Sequence, residues 1–330
     1  MKSITEAGDL KGKRVLVRVD WSVPMAHGEI INNYQITATL PTLKYLKDAG
    51  ATVIVATHLE SKDDSPEALK PYLPEGMELL SNLRDNPGEK ANSEECAREL
   101  ASRADIYVNE AFPESHRSYA SIVGVPKFLP SFAGLRLSEE VKELSKVFYP
   151  KKPFLFILGG AKFDTKLPLL KKFINIADDI FVGGALAHNF FRELGRDIGS
   201  SLVSDGDFGV KELFETGKII LPEETVTKED KIVDASPIVI EKLKDKVMAA
   251  NLILWNGPLG NYEQGYKVAT LQLAQLIAES GNESIVGGGD TLAAIAELNL
   301  LDKFSFVSTG GGAMLDFLAK GTLPGIEALK

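Results

Sequence analysis

The chain has 330 residues, too many for one ordinary core, so two domains are expected. A net charge of -9 without any Lys/Arg run argues against broad contact with nucleic acid. One cysteine, Cys96, excludes an internal disulfide framework, and no apolar run approaches the roughly 20 residues that span a bilayer, so a cytoplasmic protein with no membrane partner is expected.

Arg14 to Asp20, RVLVRVD, reads as a strand that ends in a carboxylate, and Trp21 to Pro24 as a turn. Ile36 to Asp48 has helical spacing and stops at Gly50, and Ala51 to His58 is a buried strand, completing a β-α-β unit. Open α/β sheets bind ligands at strand carboxyl ends, so Asp20 and His58 are candidates by position, although a hydrogen-bonded loop histidine is the simpler reading of His58 taken alone. The next stretch is polar, with the charge cluster SKDDSPE, a short helix near Glu67 to Tyr72 and a strand at Met77 to Leu83 followed by Arg84. Asp85 to Lys90 reads as loop, Glu94 to Ala101 as helix, and Asp105 to Ala111 as a strand whose exit carries His116 and Arg117. Arginines and a histidine after three different strands form a basic set in an acidic chain and suggest an anionic substrate. His27, His58, His116 and His188 lie far apart, which argues against a structural zinc site.

Ser138 to Phe148 reads as a helix with Ser138 as its N-cap, and Tyr149 to Pro153 breaks it, so the domain boundary is expected there. Beyond it the chain repeats one grammar, in which a short apolar run leads into glycines and then a helix: LGGAK at 158–162, VGGAL at 182–186, VGGGDT at 286–291 and STGGGA at 308–313. Bare backbone NH groups at a helix start favour anions, and four such turns on one parallel sheet would cradle a polyphosphate. Asp290 is placed either to cap its helix or to hold a metal that the polyphosphate brings. Lys162 and Lys166 are four apart, which predicts one helical face beside the glycines. In LILWNGPLGNYE a buried strand meets a fixed turn, with Glu263 placed to take a sugar hydroxyl. Neither a Walker A loop nor a GxGxxG fingerprint is present.

RVLVRVDWSVP, LPTLKYLKDAGATVIVATHL, VNEAF with SHRSYAS, ILGGAKFDTK, WNGPLGNYE, VGGGDT and STGGGA together resemble the phosphoglycerate kinase family, in the family's order and over nearly the whole chain. The resemblance implies an α/β protein of two doubly wound parallel-sheet domains facing across a cleft and joined by a helix. Residues 1–150 would hold 3-phosphoglycerate, and residues 151–330 would hold ATP or ADP with Mg²⁺, the C-terminal tail returning to the first domain. It implies a monomer that transfers a phosphoryl group reversibly between ATP and a carboxylate. Lys166 would then meet the α-phosphate and Lys162 the moving phosphoryl group, with NH groups of Gly310, Gly311 and Gly312 beside it. Glu263 would bind the ribose, and Asn256, Gly288 and Gly289 would lie near the phosphates. Asp290 and Thr291 would serve the metal and the phosphate chain. Asp20, Ser22, Gln35, His58, Arg84 and Arg117 match the acid-binding positions.

The departures concentrate on the acid side, where Ser22 replaces an asparagine, Ser61 an arginine and Gln35 the family's reactive arginine. On the nucleotide side Ala185 replaces a glycine, and ASPIV at 235–239 departs from the family's IGPKT. The stretch between His58 and Asn82 is too short for the family's extra strand and helix, and the polar region before Asp234 is trimmed. Gln35 and Ser61 keep two alternatives open: a nucleotide-binding paralogue with weakened transfer and a binding or regulatory role, and a kinase for another carboxylic acid.

Overall fold

A computed structural model describes residues 1–26, 29–61, 64–206 and 208–330, so His27 and the Lys62–Asp63 part of the charge cluster lie outside the described residues. The chain forms two compact units, residues 1–142 with 320–330, and residues 143–319.

The first unit is built on a parallel sheet of β1 (Arg14–Arg18), β4 (Thr52–Ala56), β5 (Glu78–Leu79), β6 (Ile106–Asn109) and β7 (Ser131–Ala133), in the order β5-β4-β1-β6-β7. A small hairpin pairs β2 (Met25–Ala26) with β3 (Glu29–Ile30). Helices α1 (Tyr34–Asp48), α2 (Pro87–Lys90) and α3 (Glu94–Ser102) follow, and α4 (Leu135–Ser145) closes the run. Val15, Val17, Val53, Val55 and Val108 fill one core with Ile36, Leu43 and Leu46 of α1. Trp21 is fully buried, and its indole NH donates to Thr39 Oγ1 at 2.8 Å, which ties the end of β1 to α1. Strand order reverses between β1 and β6, so the carboxyl ends of those two strands open the crevice where such sheets take ligands. The terminal helix α12 (Pro324–Glu327) returns to this unit, where the Gly325 NH donates to the Ser115 carbonyl at 2.8 Å.

Three expectations change here. Residues 85–90 are not plain loop: a 3₁₀ turn, Leu83–Asp85, leads into α2, with Asn82 and Asn86 side chains capping the two starts. The strand expected over 77–83 shrinks to Glu78–Leu79, after which the Leu80 NH still reaches the Val55 carbonyl. Helix α4 begins at Leu135, so Ser138 lies inside it rather than at its cap. The capping groups come from elsewhere in the chain. The Glu110 carboxylate accepts from the Arg136 and Leu137 NH groups at 3.0 and 3.1 Å and from the Thr42 hydroxyl, whose Oγ1 also accepts from the Leu135 NH at 2.9 Å.

The second unit carries six parallel strands, β8 (Phe154–Leu158), β9 (Asp179–Val182), β10 (Ile219–Ile220), β13 (Leu252–Asn256), β14 (Glu283–Gly287) and β15 (Phe306–Val307), ordered β10-β9-β8-β13-β14-β15. An antiparallel ribbon, β11 (Thr225–Lys228) with β12 (Lys231–Ala235), stands beside it. The helices are α5 (Phe163–Phe173), α6 (Leu186–Glu193), α7 (Val210–Glu215), α8 (Pro237–Ala249), α9 (Val268–Ser280), α10 (Gly289–Glu297) and α11 (Gly312–Lys320). All five residues of β8 and of β13 are buried, as expected for central strands covered on both faces. No described helix is long and apolar enough to cross a membrane.

Candidate functional site

Because the second sheet is parallel throughout, every glycine turn falls at its carboxyl edge. Strand order reverses between β8 and β13, and there the backbones touch: the Gly159 NH donates to the Asn256 carbonyl at 2.9 Å and the Gly160 NH to the Pro258 carbonyl at 2.8 Å. A Cβ on Gly159 would run into the Pro258 carbonyl, so packing explains that glycine. Packing does not explain Gly289 and Gly312. They open α10 and α11, and a Cβ on either would meet nothing within 4 Å. The amino ends of two helices therefore face open space with no side chain in the way, which is the geometry of an anion site. Gly311 beside them is likewise open, at φ +50.

Asn256 and Thr291 lie beneath these turns. Asn256 is buried and its amide donates to the Gly287 carbonyl at 2.9 Å, while Thr291 Oγ1 accepts from the Gly257 NH at 2.9 Å. They fix the turn at Gly288, which sits at φ +105, against the turn at Gly257. Lys166 is buried, and its ammonium donates to the Gly159 carbonyl. Burial lowers its pKa to about 8, with Asp290 opposing that effect. The expectation that Lys162 and Lys166 share a helical face is corrected: Lys162 precedes α5 with ψ 89, off the helix, and is exposed while Lys166 is buried. The four-residue spacing starts one residue before the helix, so the two ammonium groups do not share one face.

Asp290 is half-buried in the first turn of α10 and makes no cap, because the N-cap position belongs to Gly288. That removes the capping alternative and leaves the carboxylate near enough to Lys166 to oppose the loss of its charge. A cavity of about 570 Å³ in this unit is lined by Gly160, Ala185, His188, Leu259, Glu263 and Asp290 among others, a size suited to a small-molecule ligand. Glu263 is exposed at its rim, on a 3₁₀ turn, Tyr262–Gln264. Among the described residues no three His, Cys, Asp or Glu side chains are grouped to hold a metal. A magnesium ion that arrives on phosphates needs only one or two carboxylates from the protein, and Asp290 fits that requirement.

The acid-side candidates of the first unit sit at the carboxyl ends of β1, β4 and β6 and just past β5. Asp20 accepts from the Ser22 NH at 3.1 Å and from the Ser22 hydroxyl at 2.6 Å. His58 is a hydrogen-bonded histidine in the loop after β4, and it is buried there. Its Nδ1 faces Arg18 Nη2 at 3.1 Å and its Nε2 faces Glu60 at 3.4 Å. An arginine can only donate, so Nδ1 accepts and the proton resides on Nε2. Desolvation, then Arg18 and Arg84, push the imidazole down to about 2, so His58 is neutral at working pH.

The set read as basic is thus counter-charged. Arg84 pairs with Glu60 and lies 3.6 Å from Glu114, whose carboxylate is also 3.9 Å from Arg18. Burial raises the Glu114 carboxyl above its ordinary range. Sequence reasoning missed Glu60, Glu114 and the buried Arg18. The available signal was position: each follows or ends a strand at the same sheet edge as His58. Gln35 is half-buried in the first turn of α1, and Arg117 is exposed.

The phosphoglycerate kinase family model matches residues 4–75 and 67–321, almost the whole chain. The chain belongs to the phosphoglycerate kinase family. It is 38% identical to phosphoglycerate kinase of Dictyoglomus turgidum over 382 aligned positions, covering 98% of this chain and 96% of that protein. It is 35% identical to a phosphoglycerate kinase of Thermus thermophilus, covering 98% of each. The structure of phosphoglycerate kinase from Coxiella burnetii superposes with a TM-score of 0.87 at 32% identity, covering 99% of this chain and 98% of that one. The Pyrococcus horikoshii enzyme gives 0.85 at 28% identity, covering 100% and 98%. As a member of this family the chain is a phosphotransferase with a carboxyl acceptor, working in glycolysis. The aligned positions outnumber this kinase's 330 residues, so its relatives carry segments it lacks. The two family-model matches overlap at 67–75, within the segment between His58 and Asn82, whose described residues hold one 3₁₀ helix, Pro66–Tyr72, and the two-residue β5.

Proposed function

We propose that residues 143–319 bind ATP or ADP with Mg²⁺ along the glycine edge, and that the first unit binds 3-phosphoglycerate at the carboxyl edge of its own sheet. The observation that carries the nucleotide half is the pair of glycines at 289 and 312, which no packing demands and which leave two helix starts bare. Lys166, exposed Lys162 and the NH groups of Gly311 and Gly312 supply positive potential for the phosphates, whereas the Gly310 NH already donates to Ser308 Oγ at 3.1 Å. Asn256 and Thr291 hold the turns, Gly288 and Gly289 form the floor, and Glu263 at the cavity rim takes the ribose. The Mg²⁺ supplies charge neutralisation on the phosphates, and Asp290 is the protein carboxylate that would hold it. On the acid side Asp20 with Ser22, His58 through its Nε2–H, Arg84 and Arg117 orient the substrate. The attacking carboxylate is ionised at pH 7 and needs no base, so rate rests on positioning and on balancing charge.

Gln35 favours a second reading, a chain that binds nucleotide well and transfers slowly. An amide donates hydrogen bonds but carries no charge. Arg136, the cation beside Tyr34 at the start of α1, is already held by Glu139 at 2.9 Å and Glu140 at 2.8 Å. A coupled assay with 3-phosphoglycerate and ATP separates the two readings: turnover at a rate ordinary for kinases supports the first, and retained nucleotide binding with little turnover supports the second. Titration calorimetry of ADP with Asp290→Ala tests the metal role. We expect binding to weaken chiefly when Mg²⁺ is present, and equal affinity would remove Asp290 from that role.

A further inference from the structure

Arg84 enters its site already neutralised. Only 14% of its side chain is exposed, and its two terminal nitrogens face Glu60 and Glu114. Those carboxylates differ in what they can do. Glu114 is 11% exposed, sits at the end of a 3₁₀ turn, Phe112–Glu114, and lies 3.9 Å from Arg18 and 4.0 Å from His58. It is fixed. Glu60 is 65% exposed, on the loop after β4, and its contacts are to Arg84 and to His58 Nε2 at 3.4 Å. A solvated side chain of this kind leaves its partner at small cost.

We propose that Glu60 is an internal competitor of the acid substrate, occupying the guanidinium of Arg84 until an incoming anionic group displaces it. This rests on Arg84 being an acid-binding residue, as argued above. The charges make the competition real. The substrate gains its contact with Arg84 only by giving up the Glu60 pair, and it enters a set of three carboxylates, Asp20, Glu60 and Glu114, gathered around two arginines and a neutral histidine. Glu60 thereby sets affinity and selects against weakly charged acids, which lack the charge to displace it.

Calorimetry of 3-phosphoglycerate binding tests this without needing turnover. Glu60→Gln should tighten binding at least about threefold, or ~0.65 kcal/mol, and leave ADP affinity unchanged. Arg84→Met should weaken 3-phosphoglycerate binding, and Glu60→Gln in that background should give no further change, because the competition has lost its object. Tightening that persists without Arg84 would reduce Glu60 to general charge repulsion and overturn the proposal. Unchanged or weaker binding in Glu60→Gln, with Arg84→Met still weakened, would overturn it while sparing Arg84 as a substrate residue. No effect of Arg84→Met would overturn both. Thermal unfolding of each variant checks the fold, and Glu60 is exposed enough for its substitution to leave the core intact.

Discussion

Lys166 is an ammonium held in a buried place, and burial sets its pKa at about 8. Below that value the group is charged, and above it the glycine edge loses a cation. Affinity for ADP should therefore fall as pH rises from 7 to 9.5, and the fall should be much shallower in Lys166→Met, whose affinity is already low at pH 7. An equal slope in both proteins, measured by calorimetry, would place the titrating group elsewhere. His58 behaves in the opposite way, because its pKa of about 2 keeps it neutral throughout this range and it adds nothing to the profile. The position of Asp290 and Lys166 beside the glycine turns was legible from sequence, since those turns announce where the helices start. Charge balance around Arg84 was not. Glu60 and Glu114 come from separate loops, and only the register of β1, β4 and β6 brings them to one point.

Helix α4 shows the same limit for an element. Its apolar spacing is plain in the sequence, yet its first turn is fixed by Glu110 and Thr42, far away in the chain. A local cap at Ser138 was the natural reading because a serine followed by two acids is what a local rule sees. Burial raises the Glu110 carboxyl to about 7 against the hydrogen bonds that it accepts. With its folded value raised above the ordinary 4.5, the stability it contributes is fullest below about 4.5 and is lost as pH rises through about 7. Glu110→Gln should remove that part of the pH dependence in denaturant unfolding between pH 5 and 8. Glu110→Ala, which also leaves helix NH groups without a partner, should cost about 2 kcal/mol or more. A loss below ~0.5 kcal/mol would mean that water caps the helix equally well. The glycine-bounded strands of the second unit were legible for the contrary reason, since β8, β9 and β14 are short apolar runs that end where their glycines begin. The two-residue β5 and β10 and the brief β7 lack such punctuation or length, and β7 and β10 were missed altogether.

Across the whole molecule the two units are unequal in charge design. The second keeps bare helix starts, two lysines and Asp290 along one sheet edge, whereas the first has Gln35 and Ser61 where the family resemblance implies arginines and holds Arg84 between two carboxylates. Nucleotide binding should then be ordinary and transfer slow, since loss of a transition-state arginine in phosphoryl transfer can cost on the order of 10³ to 10⁵ in rate. The most direct measurement is steady-state transfer from MgATP to 3-phosphoglycerate by the wild type and by Gln35→Arg, with ADP affinity followed in parallel. The predicted result is a gain in kcat of at least about tenfold, equal to roughly 1.4 kcal/mol of barrier, with ADP affinity unaltered. Brisk turnover by the wild type with no gain in Gln35→Arg would contradict the central claim, that Gln35 is a catalytic loss, and would leave ordinary phosphoglycerate kinase turnover standing.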